Sequence, residues 1–234
     1  MGSEGECPAC GGPLYAWVKA HPSDARSDRE TLLDRCERCG LVVARSAAAH
    51  PASGGDFRAG AERELHRLFE RSPNGARGEL RAPNRRSVQA AIGEGSWAAL
   101  ELPGRPLVLT PAALDAFLRN TGGELERVRF PVFGRNQVWM WQTLMNALTF
   151  HPNFAREALV GRLRPRRGRN RLTFAIDVVV SVLAAPLVAL CSVPLETVAA
   201  LARRGGEMRA RVRVERSGQE SSSASSASSP AASS

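Results

Sequence analysis

The chain has 234 residues, 43% hydrophobic and 24% charged, with a formal net charge of +9. This is ordinary for a folded soluble protein of one or two small domains, and it excludes a fibrous or wholly disordered chain. The basic excess favours anionic partners such as nucleic acid, anionic lipid or acidic proteins. It is nearly all arginine, since Lys19 is the only lysine. A coding bias toward arginine explains that as readily as a need for bidentate phosphate contacts, so the arginine count alone decides nothing.

The start, MGSEGECPAC, has neither the basic run nor the apolar run of a secretory signal, and a cytoplasmic location is expected. Four of the five cysteines stand in two pairs, CPACGG and CERCGL, with 25 residues between Cys10 and Cys36. A CxxC turn points two thiolates at one ion. The glycines that follow, Gly11 and Gly40, let the backbone curl so that amide N–H groups face the sulfurs. Redox CxxC motifs occur singly at a helix start, and disulfides do not suit an unexported chain. The reading is a zinc ribbon over residues 7–39 with Cys7, Cys10, Cys36 and Cys39 as ligands. Four thiolates close the coordination sphere, so the zinc is expected to be structural. His21 and His50 are not needed as ligands and are expected at the surface. LYAWV (14–18) and LVVAR (41–45) read as short strands.

Residues 46–60 are small, polar and broken by Gly and Pro, as a linker is. Leu65, Leu68 and Phe69 mark a short amphipathic helix over 61–71, and GELRAPN (78–84) reads as a strand. Thr110 as N-cap and Pro111 in the first turn open a helix over 110–123 that Gly122 closes. ELERVRFPVF (124–133) alternates like a half-buried strand. QVWMWQTLMNALT (137–149) is an apolar helix, with Trp139 and Trp141 expected in the core. EMRARVRVE (207–215) alternates again as a last strand. The Ser/Ala tail from 217 to 234 cannot form a core and is expected to be disordered.

The order of motifs in residues 82–131 resembles the C-terminal half of class I S-adenosylmethionine-dependent methyltransferases. The residues that carry it are Pro83, Asn84, Ser87, Gln89, Ala90, Trp97, Pro103, Arg105, Thr110, Pro111 and Gly122. Residues 185–212, ending in Gly205-Gly206 and a strand, are similar to a bacterial subgroup, some members of which carry an N-terminal four-cysteine ribbon. The resemblance covers about 170 residues and departs at Pro106, where the family has histidine. The first half of that domain, with its glycine-rich cofactor loop and ribose-binding acid, is missing. It needs about 90 residues at roughly 30 per βαβ unit. About 32 lie between the ribbon and GELRAPN. SGGDFRAGA (53–61) follows a linker and not a strand, so it fails as a nucleotide loop. S-adenosylmethionine is therefore not expected to bind. Three segments of the parent sheet remain, and the resemblance implies that the last lies antiparallel between the other two.

The expected fold is α+β. A zinc ribbon (1–45) and linker (46–60) precede a truncated methyltransferase-like part of three strands plus helices (61–136). A helical, basic and apolar insertion follows (137–206), then the last strand (207–216) and the tail (217–234). In the insertion, Val178–Leu195 is 18 residues without charge, interrupted by Pro186 and Pro194 and flanked by arginines. Basic flanks on both sides favour a shallow helix or hairpin on an anionic inner leaflet. Arg162, Arg164, Arg166, Arg167, Arg169 and Arg171 would then meet lipid phosphates. A buried domain helix and a true span are the alternatives. Cys191 in this stretch is expected to pack internally, Glu196 to mark a helix surface, and His66 and His151 to stand alone.

The function expected is that of a non-catalytic binding or regulatory module, peripheral or integral to the inner face of the membrane. The alternatives are a methyltransferase completed by a partner chain that also completes the sheet, and a nucleic-acid-binding ribbon. Nucleic acid is the weaker partner, because Asp24, Asp28, Glu30, Asp34 and Glu37 offset the ribbon arginines.

Overall fold

The spacer between the two CxxC pairs folds back as a hairpin. Strand β1 (Leu14–Ala20) pairs antiparallel with β2 (Thr31–Cys36), and Leu14 faces Cys36 across the ladder. The computed structural model describes residues 5–21, 30–45, 77–100, 107–161 and 170–214. The linker at 46–60, the helix at 61–71, His50, His66, Arg162 to Arg169 and the tail from 217 lie outside these residues.

Strand β3 (Val42–Ala44) extends the hairpin by pairing with β2. Its other edge takes β5 (Leu107–Val108), a strand from far along the chain, so the four-stranded order is β1-β2-β3-β5. β1 and β3 match the two short strands expected. β2 (TLLDRC) lies inside the expected hairpin but was not read as a strand of its own, and β5, two residues long, has no period to read.

The second sheet comprises β4 (Arg77–Pro83), β6 (Gly123–Arg129) and β7 (Glu207–Val214). β7 lies between the other two and is antiparallel to both. That is the order implied for the three remaining segments. Between the sheets runs α2 (Pro111–Asn120), opened by Thr110, whose hydroxyl accepts from the Ala113 N–H at 3.0 Å. Its Leu114, Phe117 and Leu118 are buried with Leu41 and Val43 of the ribbon and Leu80, Met208 and Val212 of the second sheet. One core therefore joins the ribbon to the rest of the chain.

A short helix α1 (Val88–Gly93), capped by Ser87, leads into two 3-10 turns. Here Trp97, Leu100 and Val108 bury against Ala20, Leu33 and Val42. At this contact Gly95 lies against the Lys19 carbonyl of β1, and its own carbonyl accepts from the His21 N–H at 3.1 Å. A Cβ at Gly95 would overlap that backbone. Gly95→Ala is expected to cost about 1–3 kcal/mol by overpacking. The checking measurement is the urea midpoint, which should fall at unchanged slope.

The helical part comprises α3 (Arg135–Leu148), α4 (Phe154–Leu159) and α5 (Arg171–Leu201). α5 runs unbroken through Pro186 and Pro194, which correct the expectation of an interrupted stretch or hairpin. Both prolines lie on its exposed side. The most apolar 18-residue window of α5 has a mean hydropathy of 2.4 and is only 11% buried. A buried domain helix is thereby corrected as well. Trp139 is half-buried against the cluster of Trp97 and Leu100, and Trp141 against Met145, Ala155 and Val188.

Candidate metal centre

Both CxxC pairs make the same turn. The Gly11 N–H donates to the Cys7 carbonyl at 2.8 Å, and the Gly40 N–H to the Cys36 carbonyl at 2.9 Å. Gly11 and Gly40 take φ values of +67° and +73°, which a side chain disfavours. The four thiols converge. Cys7 and Cys39 sulfurs are 3.5 Å apart, as are those of Cys10 and Cys36, and all four lie within 4.8 Å of one another. Cys7, Cys36 and Cys39 are buried and Cys10 is half-buried. The cluster is compatible with a bound metal ion.

Amide N–H groups point at the sulfurs as expected: Ala9 and Cys10 at Cys7, Gly12 at Cys10, and Leu41 at Cys39. The thiols perturb one another. The bond from Cys39 holds Cys7 down to about 5. Burial pushes Cys10 up, while the bond to Cys7, then burial, pushes Cys39 up. One negative charge is easy to place in this cluster and a second is resisted, which is the situation a cation relieves.

Two residues whose bonds to the ribbon the sequence did not signal hold the knuckles. Thr110 donates its hydroxyl proton to the Cys39 carbonyl at 2.5 Å, and Asn120 Nδ2 donates to the Ala9 carbonyl at 3.0 Å. The two ends of α2 thus grip one knuckle each. Thr110 was visible as an N-cap, but nothing local signals its second bond.

The other residues singled out in the sequence fall partly as expected. Arg171 is exposed at the start of α5. His21 is at the surface, 3.9 Å from Glu30. Cys191 is exposed on α5, a correction of the internal packing expected. His151 does not stand alone: its Nδ1 is 2.6 Å from Asp177 Oδ2, and Asp177 also accepts the Phe150 N–H at 2.8 Å. Glu196 is not on a helix surface. It is 0% exposed, and accepts from Gln89 Nε2 at 2.6 Å, the Gly206 N–H at 2.7 Å and Asn136 Nδ2 at 3.0 Å. These acids bracket the uncharged stretch and clamp both ends of α5 to the body.

Burial pushes the Glu196 carboxyl above its usual range, against its donors Gly206, Gln89 and Asn136. The folded chain then binds that proton more tightly than the unfolded one. The resulting stability is present at low pH and is lost as pH rises from about 4 through the raised value. The stability of the native chain minus that of Glu196→Gln should therefore shrink across this range, as read by urea midpoints at each pH.

No family model, no curated protein and no solved structure matches this chain.

Proposed function

We propose that this protein is a zinc-held, non-catalytic binding or regulatory module on a methyltransferase-like scaffold, resting on an anionic membrane surface through the outer face of α5. Zinc is the ion the donors suit. A tetrahedron with Zn–S bonds of about 2.3 Å separates sulfurs by about 3.8 Å, close to the 3.5 Å of the two pairs. Soft thiolate donors select zinc over hard cations. Cys7, Cys10, Cys36 and Cys39 leave no open position, so the ion would hold the fold and not turn over a substrate.

The observation that carries the membrane reading is the direction in which α5 faces. Its buried residues are Asp177, Ser181, Val188, Ser192, Glu196, Ala199 and Ala200, small or polar apart from the valine. Its free side carries Val182, Leu183, Leu187 and Leu190, which are 63% to 73% exposed. A soluble helix shows the reverse pattern. Phe150, Leu159 and Val160 are exposed apolar residues outside α5 as well. An apolar surface of this extent marks an interaction site. The clamps at Asp177 and Glu196 fix α5 along the body, which suits a helix lying in the headgroup boundary better than one crossing it. Arg171 at its start suits an anionic leaflet. Flotation with phosphatidylcholine vesicles containing phosphatidylserine tests this. The chain should float with the vesicles, and a chain that stays in the dense fraction would overturn the reading.

The scaffold rests on the motifs from Pro83 to Gly122 and on Gly205-Gly206 before β7. The β4-β7-β6 order supports it. The non-catalytic part rests on the missing glycine-rich loop and ribose-binding acid. Calorimetric titration of S-adenosylmethionine into the metal-loaded chain should give no binding heat. Saturable one-to-one binding would instead support the enzyme reading.

A further inference from the structure

Two groups stand out among the described arginines. Arg45, Arg77, Arg81, Arg119, Arg209 and Arg213 each have an acidic partner. Eight others line one open cleft of 1530 Å³. Four stretches of chain each bring a pair of arginines to it: the second knuckle with its strand, the β4–α1 turn, β6, and the α5–β7 turn. Among the described residues, none of these eight has an acidic partner within salt-bridge distance, and Glu37 is the one acid on the cleft wall.

Arg85 occupies the most constrained place. Its guanidinium stacks on the Trp17 ring at 3.8 Å, and its Nε is buried without a hydrogen-bond partner. Burial, then the Arg35 charge, hold it down to about 10, partly opposed by the charge of Glu94. A metal centre of four thiolates carries net negative charge and offsets the arginines beside it, such as Arg38, which reaches the Cys10 carbonyl at 3.4 Å. The arginines of the two turns and of β6 come from elements other than the knuckle and line the same cleft. Like charges crowded on concave walls repel one another unless an anion joins them. Planar forks with free donors suit phosphate oxygens bidentately.

We propose that this cleft binds a ligand ending in a doubly charged phosphate group. The chemistry is shared by a soluble nucleoside diphosphate and by the phosphomonoester headgroup of a lipid. The concave walls favour a compact group over an extended strand, and Trp17 is already covered by Arg85 and does not offer a base platform. The proposal does not rest on the membrane reading, because variants of the outer face of α5 leave these walls intact.

The test uses the full, metal-loaded chain at low salt without magnesium. One arm titrates ADP, with adenosine as the phosphate-free control. The other compares vesicles containing phosphatidic acid with vesicles containing phosphatidylserine at matched charge. Arg86→Ala/Arg204→Ala removes two exposed side chains, and Arg129→Ala on β6 serves as a second variant on a different wall. Retained metal content and far-ultraviolet dichroism report folding. ADP should bind and adenosine should not, and each variant should weaken ADP by about tenfold to a hundredfold. A preference for phosphatidic acid that both variants abolish, without ADP binding, would assign the site to a headgroup. No phosphate-dependent binding in either arm, or binding that survives in both folded variants, overturns the proposal.

Discussion

Removing the metal is expected to unfold the protein well beyond the ribbon. Cys36→Ser, or chelation of the ion, takes away an apparent binding energy of about 10–16 kcal/mol for a structural four-ligand zinc site. A ribbon joined to its neighbour only by a linker would lose its own structure and leave the remainder folded. Here Leu41 and Val43 share a core with Leu114, Phe117 and Met208, and β5 completes the ribbon's own sheet. The two ends of α2 are bonded to the knuckles through Thr110 and Asn120. Loss of the ion should therefore abolish the cooperative thermal transition of the whole chain. Dichroism at helix wavelengths checks it, because most of the helix lies outside the ribbon. A transition that persists after chelation with only a small loss of signal would show two independent parts.

The second large effect concerns the outer face of α5. Leu183, Leu187 and Leu190 point away from the body and are the residues expected to enter the lipid boundary. Each inserted leucine side chain contributes roughly 1.5–3 kcal/mol. Replacing all three by Gln should lower vesicle partitioning by a thousandfold or more, corresponding to roughly 5 kcal/mol at the low end of that range. Fold stability should barely change, since no covered contact is lost. If partitioning follows salt and not these leucines, the attachment is electrostatic and the apolar face has another occupant.

Much of this architecture is legible in the residues. The paired CxxCG sequences specify two identical turns because each needs a positive φ four residues after its first cysteine, and Gly11 and Gly40 supply it. Thr110-Pro111 opens its helix, and the alternation in β6 and β7 gives their strands. What stayed hidden depends on distant partners. β5 is two residues long and exists because β3 leaves an edge for it. The continuity of α5 was obscured by Pro186 and Pro194, whose missing N–H groups are tolerated on its exposed side. Glu196 reads locally as a surface acid, yet Gln89, Asn136 and Gly206 come from three other places to enclose it. Asp177 and Glu196, bracketing an uncharged run, were the available sign that this helix is fastened to the body at both ends.

The cluster of four thiols is the feature on which the rest of the fold hangs, and mass measurement under native conditions tests it most directly. The chain should carry one zinc ion, and brief alkylation of the folded protein should add no more than one label, at Cys191. An apo chain with linked cysteines, or a folded chain that takes labels at Cys7, Cys10, Cys36 and Cys39, would contradict the zinc centre.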